Sequence, residues 1–354
     1  MGAFRWMVLI LVTLTVSCSA ESSGSTPAQQ VGERVNLATL WYTWFGFDLA
    51  TGDSVGGLKS SHWNTDVGSY GSRVGITDQP VYGYYASDDP LVIAQQLNDM
   101  EEAGINVIFV SWFGWGDTDF DDVIDSQEGA AMHRAAIALL DYVSGNNAPF
   151  KVAIAVEPFM ADASGLSLLN KEKIVDFLYD NIYSVYSVFM FQMYGKDLLI
   201  HFDPIDLKES ADGRFTFKQW GSVNDRNWKV STTLDWNGYP DVSWLDRQIA
   251  EDGTLIVFPR FDEYWAEVMG HSFVYDIRRV DPFLDNGVYE QAWQVAVDSR
   301  SSIALLVVYS WNEHGDHSAI EPTEGLTQIS AGRSLVQKTS KYYRQFLSGE
   351  NIIP

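Results

Sequence analysis

A single cysteine, Cys18, is all that the sequence offers for thiol chemistry, so a disulfide within the chain and a catalytic thiol in its body are both excluded. Basic residues are scarce as well: 23 Lys and Arg stand against 47 Asp and Glu, a formal net charge of −24. Binding a phosphate backbone needs clustered cations, so this balance argues against nucleic acid, and equally against an anionic membrane surface or an anionic polymer. No apolar run reaches the roughly 20 residues of a membrane-spanning helix. No Gly-rich phosphate loop follows a strand-like segment, and no Gly-x-Ser-x-Gly elbow does, which removes the usual signatures of nucleotide cofactors and of serine hydrolases. No cofactor is expected.

What is present begins with an address. Arg5 precedes an apolar run from Trp6 to Val16, followed by Ser17-Cys18-Ser19-Ala20. A run this short reads as the core of an export signal, here residues 1–18. A lone cysteine directly after it resembles a bacterial lipoprotein box with lipidation at Cys18, although Thr15 stands where Leu is usual; cleavage near Ala20 with full secretion is the alternative. Residues 19–31 are a polar tether, and residues 32–350 form one folded domain. The expected location is outside the cell, with membrane contact only through a lipid anchor. Hydrophobic residues make up 46% of the chain, enough for a large core. Among them are 13 Trp, 17 Tyr and 19 Phe, ring faces that suit the apolar C–H faces of sugars but serve equally as packing.

Along the folded domain, helices alternate with near-continuous apolar strands. Asp88-Asp89-Pro90 caps a helix with Ile93, Leu97 and Met100 on one face, Gly104 ends it, and the strand from Ile105 to Trp112 follows. A helix from Ala130 to Val143 precedes the strand from Lys151 to Glu157, and a helix near Lys171 to Val188 precedes Leu198 to Asp203. Further strands are expected at Val35 to Trp44, Val230 to Asp235, Thr254 to Pro259 and Ile303 to Ser310, the last after a helix from Val288 to Asp298. Such alternation indicates an α/β fold with a parallel sheet covered by helices, read here as a single-domain (β/α)8 TIM-type barrel. Seven strands are placed in this way, and an eighth is expected around Phe273 to Ile277. A doubly wound open sheet is the rival.

Carboxylates mark the ends of these strands: Glu157, Asp203, Asp235, Asp262 with Glu263, and Glu313. In a barrel those ends converge on one face, which holds the active site. A group of acids there suits glycoside hydrolysis, in which one carboxyl protonates the leaving oxygen and another supplies or generates negative charge. The alternative for any one of them is a helix cap or a loop ion pair. His314, Asp316 and His317 are chemically suitable metal ligands, but three such groups in one loop read better as a hydrogen-bonded cluster, and no metal is expected. His133 reads as a surface or packing residue and His201 as a satisfied core histidine.

Several segments together resemble glycoside hydrolase family 99 and its relatives, the endo-α-1,2-mannosidases and mannanases. They are Leu40-Trp41-Tyr42-Thr43-Trp44-Phe45-Gly46, Ser61-His62-Trp63, Gly83 to Pro90, Val110-Ser111-Trp112-Phe113-Gly114, Val156-Glu157-Pro158-Phe159, and Ser310-Trp311-Asn312-Glu313 through Ile320-Glu321-Pro322. They occur in order from about residue 35 to residue 322. The resemblance implies a retaining, endo-acting hydrolase of an oligo- or polysaccharide such as an α-1,2-mannan, working through a 1,2-anhydro sugar. Glu313 would act as base on the sugar 2-hydroxyl and Asp316 as general acid and then base. Glu157, Tyr42, Trp112, His62, Trp63, Asn312, Asp262 and His317 would bind substrate. One departure is plain: the family's usual Trp-His-Glu after Asn-Glu is here His314-Gly315-Asp316. Asp316 reaches about 1 Å less far than Glu, a misplacement that can cost about 100-fold, unless the freedom of Gly315 compensates or His314 or His317 serves as the acid. A non-catalytic glycan-binding surface lipoprotein and a barrel glycosidase of another linkage specificity remain as alternatives.

Overall fold

The computed structural model describes residues 35–63, 79–158, 166–202, 205–220, 249–250, 252–259, 288–314, 318–324 and 334–353. Arg34–Pro354 is one compact unit. The strands are β1 (Asn36–Tyr42), β2 (Val107–Trp112), β3 (Lys151–Val156), β4 (Gln192–Met193), β5 (Lys196–Phe202), β6 (Phe215–Trp220), β7 (Thr254–Val257) and β8 (Leu305–Val308). The helices are α1 (Pro90–Ala103), α2 (Gln127–Gly145), α3 (Leu168–Leu178), α4 (Val288–Asp298) and α5 (Ser334–Ser348). Seven strands pair in parallel in the order β6-β5-β3-β2-β1-β8-β7, and the two-residue β4 pairs antiparallel with β5.

Local chemistry sets where the helices start and stop. Asp89 caps α1 by accepting from Leu91 N, Pro90 opens the first turn, and Gly104 ends it in the left-handed region at φ 89°. A Cβ at Gly104 would also lie 2.6 Å from the Tyr343 ring, so glycine is required twice over. Ser126 and Ser167 cap α2 and α3, accepting from Gly129 N and Asn170 N.

The strands separate their side chains by the two-residue period of an extended chain. Leu37, Trp41, Ile108, Val110, Trp112 and Ile154 join the cluster shared with the helices, including Ile93, Leu97 and Leu139. Ala38, Leu40, Tyr42, Val107, Phe109, Ala153, Ala155, Ile200, Trp220, Leu305, Val307 and Tyr309 form a second cluster on the opposite face of the sheet. That second face curls in on itself. Trp220 on β6 and Tyr309 past β8 lie 5.9 Å apart between ring centroids, although five strand steps separate β6 from β8 in the sheet. Lys218 of β6 pairs with Asp252, just before β7, at 2.8 Å with both side chains largely buried. The two edges of the parallel run are thus held close to each other.

The sequence reading did not place β6, because Phe-Thr-Phe-Lys-Gln-Trp is interrupted by polar residues and is not a continuous apolar run. The strand expected around Phe273 to Ile277 lies outside the described residues, but β7 pairs directly with β8, Thr254 opposite Leu305, so no strand separates these two in the sheet. The third helix stops at Leu178, and a π-helical turn from Tyr179 to Tyr183 continues it, short of the expected Val188. The strand expected from Val230 to Asp235 also lies outside the described residues.

Candidate active site

The parallel run points the C-terminal ends of β1, β2, β3 and β8 the same way, and buried polar groups gather there. Glu157 follows β3 with the parity of Ala153 and Ala155, so its side chain belongs to the inner face. Its Oε1 accepts from Ser111 Oγ at 3.0 Å, and its backbone N–H donates to Trp112 O at 2.9 Å. Only 8% of the residue is exposed, and burial pushes its carboxyl up to about 8, with the Ser111 hydrogen bond pulling the other way. At neutral pH this group is mainly a neutral acid, able to donate as well as accept.

Across the curl, the segment after β8 is tied to β1. Tyr42 and Tyr309 join their hydroxyls at 2.7 Å. Asn312 is fully buried, and its amide spans Tyr42, accepting from Tyr42 N and donating to Tyr42 O. Glu313 follows it, 6% exposed, with its backbone N–H on Ser310 Oγ at 2.8 Å and its carbonyl accepting from Ala319 N at 3.2 Å. Because β3, β2, β1 and β8 are consecutive, three strand spacings separate the ends carrying Glu157 and Glu313, about 14 Å around the curve and less across it.

Beneath Glu313 lies a buried polar network. His314 Nε2 meets Glu321 Oε2 at 2.7 Å, Tyr85 OH donates to the same oxygen at 2.9 Å, and Gln96 Nε2 of α1 donates to Glu321 Oε1 at 2.6 Å. Asn312 Nδ2 reaches Tyr85 OH at 3.3 Å, and Trp41 Nε1 donates to Gln96 Oε1 at 2.8 Å. Burial, and then the charge of Glu321, holds the Tyr85 phenol well above its usual range, so it remains a donor. Ser111, Tyr309, Tyr85, Gln96 and Glu321 were absent from the sequence-based set of site residues. Gln96 carried one usable signal, a polar side chain on the apolar face of α1.

Of the expected substrate-binding residues, the structure brings Tyr42, Glu157 and Asn312 to these strand ends. Trp112 is corrected: one residue out of phase with Ser111, it faces the helices, is fully buried, stacks on Trp115 and Phe177, and donates to His133 Nδ1. Trp63 is corrected too. It is fully buried, stacked on Phe45 at 4.1 Å with its indole N–H on Tyr85 O, so it braces the site and offers no ring face to a ligand. His62 is partly exposed, stacks on Trp44 at 4.5 Å and meets Glu128 Oε1 at 3.2 Å; Trp44 in turn stacks on Tyr42 at 4.4 Å. Asp316, His317, Asp262, Asp203, Asp235, Glu263 and Cys18 lie outside the described residues. His133 is a packing residue whose imidazole burial, and then Arg134, pulls down to about 4. His201 is fully buried, with Nδ1 at Ile205 O.

His314 pairs Nε2 with Glu321. Among the described residues, the one grouping with ligand atoms close enough for a cation is Asp117, Asp119 and Asp125, after β2. Two of these carboxylates already accept backbone N–H groups, from Phe120, Asp122 and Thr118.

No family profile matches the chain. Over 143 residues it is 23% identical to the human glycoprotein endo-alpha-1,2-mannosidase-like protein, a match covering 38% of this chain and 29% of that one. The chain thus spans under a third of that curated relative's length. Among solved structures, it superimposes on the GH99 endo-alpha-mannosidase from Bacteroides thetaiotaomicron with a TM-score of 0.61 at 17% identity, covering 89% of this chain and 98% of that one. A glycoside hydrolase-like protein gives a TM-score of 0.54 at 12% identity, covering 91% and 97%. In fold over most of its length, and in sequence over a shorter stretch, this chain is a neighbour of the endo-α-mannosidases of glycoside hydrolase family 99.

Proposed function

We propose that the protein is a retaining, endo-acting glycoside hydrolase on α-mannosyl glycans, built on a closed (β/α)8 barrel and exported as a Cys18-anchored or secreted protein. One observation carries the reading. Two carboxyl groups far apart in sequence, Glu157 and Glu313, are both buried at the same end of a curled parallel sheet, past strands three spacings apart. The Lys218–Asp252 ion pair between the sheet's two edges supports closure.

The chemistry follows from the positions. Glu313, held through both its backbone groups, acts as base on a sugar 2-hydroxyl, whose oxygen displaces the leaving group from the adjacent anomeric carbon. A fixed intramolecular nucleophile gains a large effective molarity. Asp316 protonates the departing oxygen and later activates water to open the 1,2-anhydro ring. Glu157, neutral at pH 7, donates a hydrogen bond to a sugar oxygen in the cleaved subsite. His62, Asp262 and His317 complete the binding groups.

The test is hydrolysis of a panel of α-linked mannans. Glu313→Gln and Asp316→Asn are each expected to lower the rate by at least about 100-fold. Near-normal turnover by Asp316→Asn removes that residue from the mechanism. Binding without turnover by the unmodified protein overturns the assignment as an enzyme.

A further inference from the structure

We infer that Glu321, together with His314, is a positioning pair that sets the place of Glu313; this rests on the glycosidase reading above. Glu321 is 2% exposed and takes three donors: Tyr85 OH, Gln96 Nε2 and His314 Nε2. The residues flanking Glu313 both end on this one carboxylate. His314 touches it directly, and Asn312 reaches it through Tyr85 OH. Glu313 is therefore gripped from either side by a group eight positions further along the chain, while Gln96 fastens the same carboxylate to α1.

The grip needs a carboxylate. A buried acid accepting from three donors makes charge-assisted hydrogen bonds, stronger than neutral ones, and each holds its donor in direction as well as distance. An amide in its place would turn an N–H₂ toward one of these donors. Gln96 cannot relieve the clash by flipping, because its Oε1 already accepts from Trp41 Nε1. Two of the three donors are thus pre-committed around a fixed acceptor, and the third, His314, takes its ring orientation from it. His314 Nδ1 has no hydrogen-bond partner among the described residues, so Glu321 is the hydrogen-bonding partner described for this buried imidazole, whose ring also packs against Phe45 and Trp63. Glu321 itself acts only through its neighbours.

The test compares kcat and KM on an α-1,2-linked manno-oligosaccharide for the unmodified protein and for Glu313→Gln, Glu321→Gln, His314→Gln and the Glu321→Gln/His314→Gln double variant, with folded fraction followed by near-UV circular dichroism. Glu321→Gln and His314→Gln are each expected to lower kcat about 30- to 100-fold with KM changed less than about threefold, while the protein stays folded. The double variant is expected to be no worse than the poorer single one, as for two groups acting as a unit. Should Glu321→Gln fail to fold, His314→Gln carries the same expectation. Unchanged kcat, or a kcat loss that only tracks the unfolded fraction, overturns the positioning role while leaving a Glu313-dependent glycosidase intact. Absence of turnover by the unmodified protein overturns the glycosidase reading and this inference with it.

Discussion

Asn312 holds Tyr42 by both of its backbone groups, with Oδ1 2.7 Å from Tyr42 N and Nδ2 3.1 Å from Tyr42 O. This one amide fastens the segment that carries Glu313 to the end of β1. Asn312→Asp keeps the size but sets an oxygen against the Tyr42 carbonyl and a charge in a fully buried place. A loss of about 2–3 kcal/mol is expected in denaturant unfolding, and Asn312→Ala should lose a similar amount by leaving two backbone groups unpaired. A change under about 0.5 kcal/mol for both variants would show that the bridge contributes little.

Glu157 makes stability depend on pH in a defined direction. Its folded carboxyl is raised from 4.5 to about 8, so between those values the folded state binds the proton more tightly than the unfolded chain. The stabilisation is complete below pH 4.5 and is lost as pH rises through about 8, at up to about 1.4 kcal/mol per pH unit. Glu157→Gln should flatten that slope in melts taken from pH 5 to 8. An unchanged slope would mean that Glu157 is ionised in the folded protein.

His133 runs the opposite way. Its folded pKa is depressed from 6.5 to about 4, so stability is full above pH 6.5 and is lost as pH falls through about 4. His133→Gln should reduce the acid sensitivity in that window, read as the midpoint of acid unfolding. No shift of that midpoint would count against burial as the cause.

Lys218 and Asp252 bridge the two edges of the parallel run from largely buried positions. Lys218→Met removes the cation and leaves the acid in place, which should cost about 3 kcal/mol or more. Replacing both residues with apolar ones of similar size is expected to recover most of the loss. If the single variant melts like the unmodified protein, the pair is not part of what holds the edges together.

Gly104→Ala should destabilise by more than about 1 kcal/mol, since φ is 89° there and the new Cβ would meet the Tyr343 ring. Combining it with Tyr343→Ala should relieve the steric part only. A neutral Gly104→Ala would indicate that the end of α1 rearranges freely.

The helix caps, the apolar strands and the helix-strand alternation were legible in the chain because they are local. Asp89-Pro90 at one end of α1 and Gly104 at the other act within a few residues, and β2 and β3 are near-continuous apolar runs buried on both faces beyond Lys151. β6 escaped notice because its polar residues find partners that only the fold supplies. Thr216 bonds to Met193 O, and Lys218 finds Asp252. The motif around Trp112 drew attention to the right strand end but to the wrong side chain. Alternation at a two-residue period sends Ser111 to Glu157 and turns Trp112 toward the helices.

By itself, the order of residues determined which side chains are acidic at strand ends, where helices begin and stop, and that a neutral ligand suits the charge balance. Which of those acids come to one end of the curled sheet was decided by tertiary structure alone. Glu157 lies 156 positions from Glu313, and Gln96 lies 225 from Glu321, separations over which no local preference acts. The curl of the sheet brings such groups together. Their burial then fixes their partners, because a polar group removed from water must find its hydrogen bonds inside the protein.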